Sequence, residues 1–129
     1  MTCKILKNLY VGDDSDAARF EFPMEPIHVI IDLRGWNVDE DAPHEDFSTV
    51  VKSLDLIKQC LENEIPVLVH CHGGIDRSPF VVACYLYKYG YFDEYSAYNL
   101  VKVKHPQTII HDDWMDKFVV LHRTVKVRK

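Results

Sequence analysis

The chain has 129 residues, 47% of them hydrophobic, and a formal net charge of −5. That length suits a single domain, spanning residues 1–129, with a real buried core. The acidic balance argues against a general nucleic-acid binder, which carries a basic field. No apolar run approaches membrane length and no cleavable leader precedes the first strand pattern, so an intracellular protein with no membrane partner is expected. The four cysteines, Cys3, Cys60, Cys71 and Cys84, are irregularly spaced. They do not outline a disulfide framework and point to a reducing compartment, the cytoplasm.

Lys4 to Gly12 reads as an opening strand and Asp14 to Phe20 as a short helix. Ile27-His28-Val29-Ile30-Ile31-Asp32-Leu33 is a nearly continuous β-branched run, the pattern of a strand buried on both faces of a parallel sheet, with His28 as a structural histidine. From Arg34 to Asp46 the chain turns polar and acidic, which by itself describes a solvated loop. Phe47, Val50, Val51, Leu54, Ile57 and Leu61 recur at helical spacing and predict an amphipathic helix over about 46–63, with Asp46 at its N-cap or first turn. The helix leads through Ile65-Pro66 to a second apolar strand at Val67–His70, so the two strands and the helix form a right-handed parallel crossover. Pro79 suits a first helical position and opens a helix through the apolar run Phe80–Tyr87. Two more helices follow, Asp93 to Lys104 and Asp112 to Arg123, with Tyr95, Tyr98, Val101, Trp114, Phe118 and Leu121 as core stripes. The predicted fold class is α/β, a central, mostly parallel sheet flanked by helices, with ligands at the C-terminal ends of its strands.

At that end lies Val67-Leu68-Val69-His70-Cys71-His72-Gly73-Gly74-Ile75-Asp76-Arg77-Ser78-Pro79. A strand, a turn with two glycines and a helix N-terminus can aim backbone N–H groups at one anion, and phosphate is the usual occupant. Residues His72, Gly73, Gly74, Ile75, Asp76 and Arg77 are therefore the expected phosphate cradle. Cys71 at one lip is the candidate nucleophile, because the N–H ring, the helix N-terminus and Arg77 all favour its thiolate. Arg77 offers a planar fork that grips two phosphoryl oxygens. The Ser78 hydroxyl can donate to the sulfur and improve it as a leaving group. His70 orients the loop from the strand's end. His70-Cys71-His72 as a zinc set is the weaker reading, since one short stretch rarely closes a site and no second ligand pair stands at metal spacing. No cofactor is implied.

His70-Cys71, five residues, then Arg77-Ser78 resembles the signature of the cysteine-dependent protein tyrosine phosphatases. Arg77-Ser78-Pro79, the short chain and the missing insertions resemble its dual-specificity branch, as does Leu9-Tyr10-Val11-Gly12-Asp13. The resemblance implies a compact dual-specificity phosphatase-like fold and hydrolysis of phosphotyrosine, and of phosphoserine and phosphothreonine in a shallow pocket, through a phosphocysteine. It also implies a general acid on a loop about thirty residues before the cysteine and shortly before a proline. Asp39 and Asp41 both fit, being four and two residues before Pro43, and Asp39 is the preferred of the two. Trp36 is placed to anchor that loop. The implied partner is a phosphorylated protein met by a monomer. A phosphopeptide-binding pseudophosphatase and an RNA 5′-triphosphatase are the competing readings; the acidic charge disfavours the second. Two departures stand out. The strand after Arg34 is abbreviated to Gly35–Val38, and Asp76 beside Arg77 sets a carboxylate next to the expected dianion.

Overall fold

The computed structural model describes residues 3–13, 29–34, 47–73, 75–90 and 92–123. They form strands β1 (Cys3–Leu6), β2 (Leu9–Gly12), β3 (Val29–Asp32) and β4 (Val67–His70), with helices α1 (Ser48–Glu62), α2 (Arg77–Tyr89), α3 (Glu94–Lys104) and α4 (Asp112–Leu121). The sheet order is β1-β2-β4-β3. β4 pairs in parallel with β2 and β3, and β1 is antiparallel to β2. All four residues of β4 are buried, as its unbroken apolar run requires. No helix among the described residues is long and apolar enough to cross a membrane.

The register fixes where the site lies. Gly12, His70 and Asp32 stand level on β2, β4 and β3, so three parallel strands end on one line. Cys71, Asp13 and Leu33 leave that line together, and the Leu33 N–H donates to the His70 carbonyl at 2.8 Å. Beneath it, α2 packs on α1, α3, α4, β2 and β4. Phe80 of α2 is fully buried. Its ring centroid lies 5.5 Å from Trp114, 6.1 Å from Phe47, 6.3 Å from Tyr98 and 6.4 Å from Phe118. This aromatic centre joins all four helices below the loop.

Several expectations are corrected. Residues 4–12 do not form one strand: the chain reverses at Lys7-Asn8 into a hairpin, with Asn8 at φ 69°. Asparagine tolerates that left-handed conformation and so supports a tight turn inside an apolar run. β3 is the last strand of the described sheet, with Ile31 buried but Ile30 and Asp32 exposed, so it is not covered on both faces. The residue preceding α1 is Phe47, at φ 50° and with no side-chain cap, instead of Asp46, which lies outside the described residues. Its ring is fully buried and edge-on to Phe118 at 5.5 Å. Core packing thus overrides capping preference there. Pro79 is the third residue of α2 and not the first; any first-turn position tolerates it, because those N–H groups lack intrahelical partners. Tyr95 and Leu121 are 66% and 51% exposed and leave the core stripes. At 100° per residue Tyr95 falls roughly 110° from the face defined by Ala97, Tyr98 and Val101, and the stripe on α4 ends at Phe118. The helix expected over Asp14 to Phe20, His28 and Trp36 lie outside the described residues.

Candidate active site

Cys71 follows β4 directly and is buried, at 1% exposure. Its Sγ lies 3.4 Å from Ser78 Oγ. Ser78 is itself buried on the first turn of α2, and its Oγ is also 3.4 Å from the Gly12 carbonyl oxygen. One hydroxyl therefore bridges the sulfur and the end of β2, a link across 66 residues of chain. With Cys71 as a thiol, S–H donates to Ser78 Oγ and Oγ–H to Gly12. With a thiolate, the hydroxyl can turn its proton to the sulfur.

Arg77 opens α2, and its Nη1 donates to the carbonyls of Leu33 and Arg34 at 3.2 and 3.3 Å. These carbonyls lie just past β3, so the guanidinium is anchored at the root of the acidic stretch. Arg34 is held in turn by Asp32: its Nε reaches Oδ1 at 2.9 Å and its Nη2 reaches Oδ2 at 2.7 Å. The Arg34 guanidinium, aided by a backbone bond from Arg34, holds the Asp32 carboxyl well below the usual carboxylate range. Asp32 Oδ1 also lies 3.7 Å from Nε2 of the buried His70, which ties the histidine before Cys71 to the end of β3.

Within the loop, Asp76 caps α2, its Oδ1 accepting from the Arg77 N–H at 2.7 Å. His72 and Gly73 are exposed, and Ile75 is 37% exposed. Among the described residues, a Cβ on Gly73 would meet the Ile75 side chain at an ordinary 3.6 Å. Gly74 lies outside the described residues, as do both candidate acids, Asp39 and Asp41. The remaining candidates, Cys71, His72, Gly73, Ile75, Asp76, Arg77 and Ser78, are brought to one turn where the parallel strands end.

The structure adds contacts that the chain pattern did not disclose. The Ile109 N–H donates to the Ile75 carbonyl at 2.6 Å, latching the α3–α4 connection onto the loop. That connection is itself stapled by Lys102, whose Nζ donates to the Pro106 and Thr108 carbonyls at 2.8 and 2.7 Å. These bonds, like those of Arg77 to Leu33 and Arg34, use backbone carbonyls and leave no residue-type signal.

A family model for the dual specificity phosphatase catalytic domain matches residues 7–123. The chain belongs to the dual specificity phosphatase family. Among relatives, the 123R protein of Invertebrate iridescent virus 6, a candidate tyrosine phosphatase by its name, is 31% identical over 110 residues, covering 78% of each chain. Protein tyrosine phosphatase PRL-1 of Leishmania major is 31% identical over 104 residues, covering 72% of this chain and 58% of that one. The fold is shared with a leucine rich repeat and phosphatase domain containing protein from Entamoeba histolytica, at TM-score 0.77 and 13% identity over 95% of this chain and 90% of that one. In this family member the strand–loop–helix carrying Cys71 and Arg77 occupies residues 67–89, well inside the matched region.

Proposed function

We propose that this chain is a cysteine-dependent phosphatase that removes phosphate from phosphotyrosine, and from phosphoserine and phosphothreonine, on protein substrates in the cytoplasm. The observation that carries this reading is the buried Cys71 Sγ, 3.4 Å from the Ser78 hydroxyl, at the start of a loop closed by Arg77. Family membership supports the reaction class. The acidic net charge of −5 favours a protein phosphomonoester over an RNA 5′-triphosphate.

In the reaction, the Cys71 thiolate attacks phosphorus while the ester oxygen leaves in line and takes a proton from Asp39, with Asp41 as the second candidate. The phosphoryl group then rides on sulfur, held in the 72–77 loop with the Arg77 fork on two of its oxygens. Water attacks phosphorus, the same carboxylate accepts its proton, and the S–P bond breaks. The Ser78 hydroxyl donates to the departing sulfur, and phosphate is released.

The test is hydrolysis of an aryl phosphate by the wild-type chain and by Cys71→Ser. Wild-type turnover that the variant abolishes supports the reading. A wild-type chain that binds phosphopeptide without turnover overturns it in favour of a binding module. For the acid, Asp39→Asn and Asp41→Asn are compared on an alkyl phosphate, whose leaving group needs a proton. The acid assignment predicts that Asp39→Asn lowers kcat by roughly a hundredfold or more, and it fails if only Asp41→Asn does so.

A further inference from the structure

A carboxylate inside a phosphate-binding loop opposes its own ligand, because like charges at short range repel strongly where water is partly excluded. Asp76 stands in that position, directly before Arg77, with its side chain 36% exposed. Its Oδ1 is committed to the Arg77 N–H at 2.7 Å. Its Oδ2 faces His111 Nε2 at 3.9 Å.

One ring contact and two backbone hydrogen bonds place His111 there. Its ring stacks on Trp114, with centroids 3.7 Å apart and planes 10° from parallel. Its backbone N–H donates to the hydroxyl of Tyr98 on α3 at 3.2 Å. The chain two residues earlier is pinned to the loop by the bond from the Ile109 N–H to the Ile75 carbonyl. Nε2 is buried and has no hydrogen-bond partner among the described residues. Among the described residues, the ionisable groups beside it include Asp112 and Asp113, exposed on the first turn of α4, and the buried Tyr98.

We propose that His111 is a positioning residue for the phosphate-binding loop: its Nε2 edge holds and offsets the Asp76 carboxylate, preserving phosphate affinity beside an acidic residue. The inference rests on the reading of residues 72–77 as a phosphate cradle. The ring edge facing the carboxylate at 3.9 Å makes the two residues interdependent. Without Asp76, His111 has nothing to offset. Without His111, the Asp76 carboxylate repels the ligand directly.

The experiment measures the Kd of inorganic phosphate, by calorimetry on the full chain, for wild type, His111→Phe, Asp76→Asn and the double variant. Phenylalanine keeps a ring to stack on Trp114 and removes only the nitrogen edge. His111→Phe is expected to weaken binding roughly three- to tenfold in the wild-type background and less than twofold in Asp76→Asn. With an aryl phosphate, the same variant raises KM and leaves kcat close to wild type. Equal loss in both backgrounds marks a merely structural role and overturns the proposal, as does no loss in either. Phosphate binding with the predicted coupling but no hydrolysis supports the pair while overturning the proposed activity. Absence of phosphate binding in every form overturns both.

Discussion

Ser78 has one proton and two acceptors, the sulfur of Cys71 and the carbonyl of Gly12, each 3.4 Å away. In the proposed reaction the proton matters most when sulfur leaves phosphorus, so Ser78→Ala is expected to slow phosphocysteine breakdown by about tenfold or more and leave its formation largely intact. A burst of phenol followed by a slow steady state, in rapid-mixing kinetics, is the signature; equal slowing of both phases counts against that role. Asp32 acts by charge. Its carboxyl is depressed by Arg34, so its contribution to stability is present above the unfolded aspartate value of about 3.9 and is lost as pH falls toward the folded value. The pair is 44% and 43% exposed, and solvent screening holds that contribution to at most about 1 kcal/mol. Urea titrations of wild type and Asp32→Asn should therefore differ at pH 7 and converge as the pH is taken below 4. Cys84 is different again. Burial pushes its thiol well up, which fits packing inside α2 and not a redox partner for Cys71. Iodoacetamide at neutral pH should leave it unlabelled until the chain is unfolded.

Helix ends and turns set the local stability of the elements. α1 ends in a Schellman arrangement: the Ile65 N–H reaches the Cys60 carbonyl at 2.8 Å and the Glu64 N–H reaches that of Leu61 at 3.2 Å. The left-handed position belongs to Glu64, at φ 55°, where a side chain crowds the backbone. Its ion pair with Lys7, at 3.5 Å between side chains 78% and 79% exposed, gives little in return. Glu64→Gly is thus expected to raise stability by about 0.5–1 kcal/mol, read as a higher Tm. Gly90 behaves oppositely after α2. A Cβ there would sit 2.6 Å from the Leu86 carbonyl oxygen and 2.9 Å from the Phe92 ring, so Gly90→Ala should destabilise by about 1–3 kcal/mol in chemical denaturation. α3 needs no such rescue: the Asp93 side chain accepts from the Ser96 N–H at 2.7 Å and caps the helix.

At the scale of the whole molecule, Phe80 is the link between stability and site. It follows Arg77 by less than one turn and touches aromatic rings on α3, on α4 and at the start of α1. Phe80→Ala is expected to cost about 3–5 kcal/mol, with phosphate affinity falling in step, because α2 loses the packing that fixes its N-terminus under the loop. A variant with lowered Tm and unchanged phosphate Kd would separate the two. The fold class and the strand–loop–helix at Cys71 were legible in the chain itself. An apolar run ending at a cysteine, two glycines, Arg77-Ser78 and a long apolar helix are local, short-range patterns, and each names its own element. Solvent exposure of β3, the Lys7-Asn8 reversal and the replacement of Asp46 by Phe47 ahead of α1 were not legible. They depend on which faces neighbouring elements cover, or on one residue's backbone conformation within an otherwise uniform run. At the site the division is the same. Sequence by itself singled out Cys71, Arg77 and Ser78 as the candidate nucleophile, the candidate phosphate grip and its serine neighbour, because the chemistry proposed for them resides in residue type and spacing. Only the tertiary structure decided that Arg77 is anchored on the carbonyls past β3 and that His111, thirty-five residues beyond Asp76 in the chain, comes to face it. Backbone carbonyls carry no residue code, and a contact between distant segments exists only once the helices between them have packed.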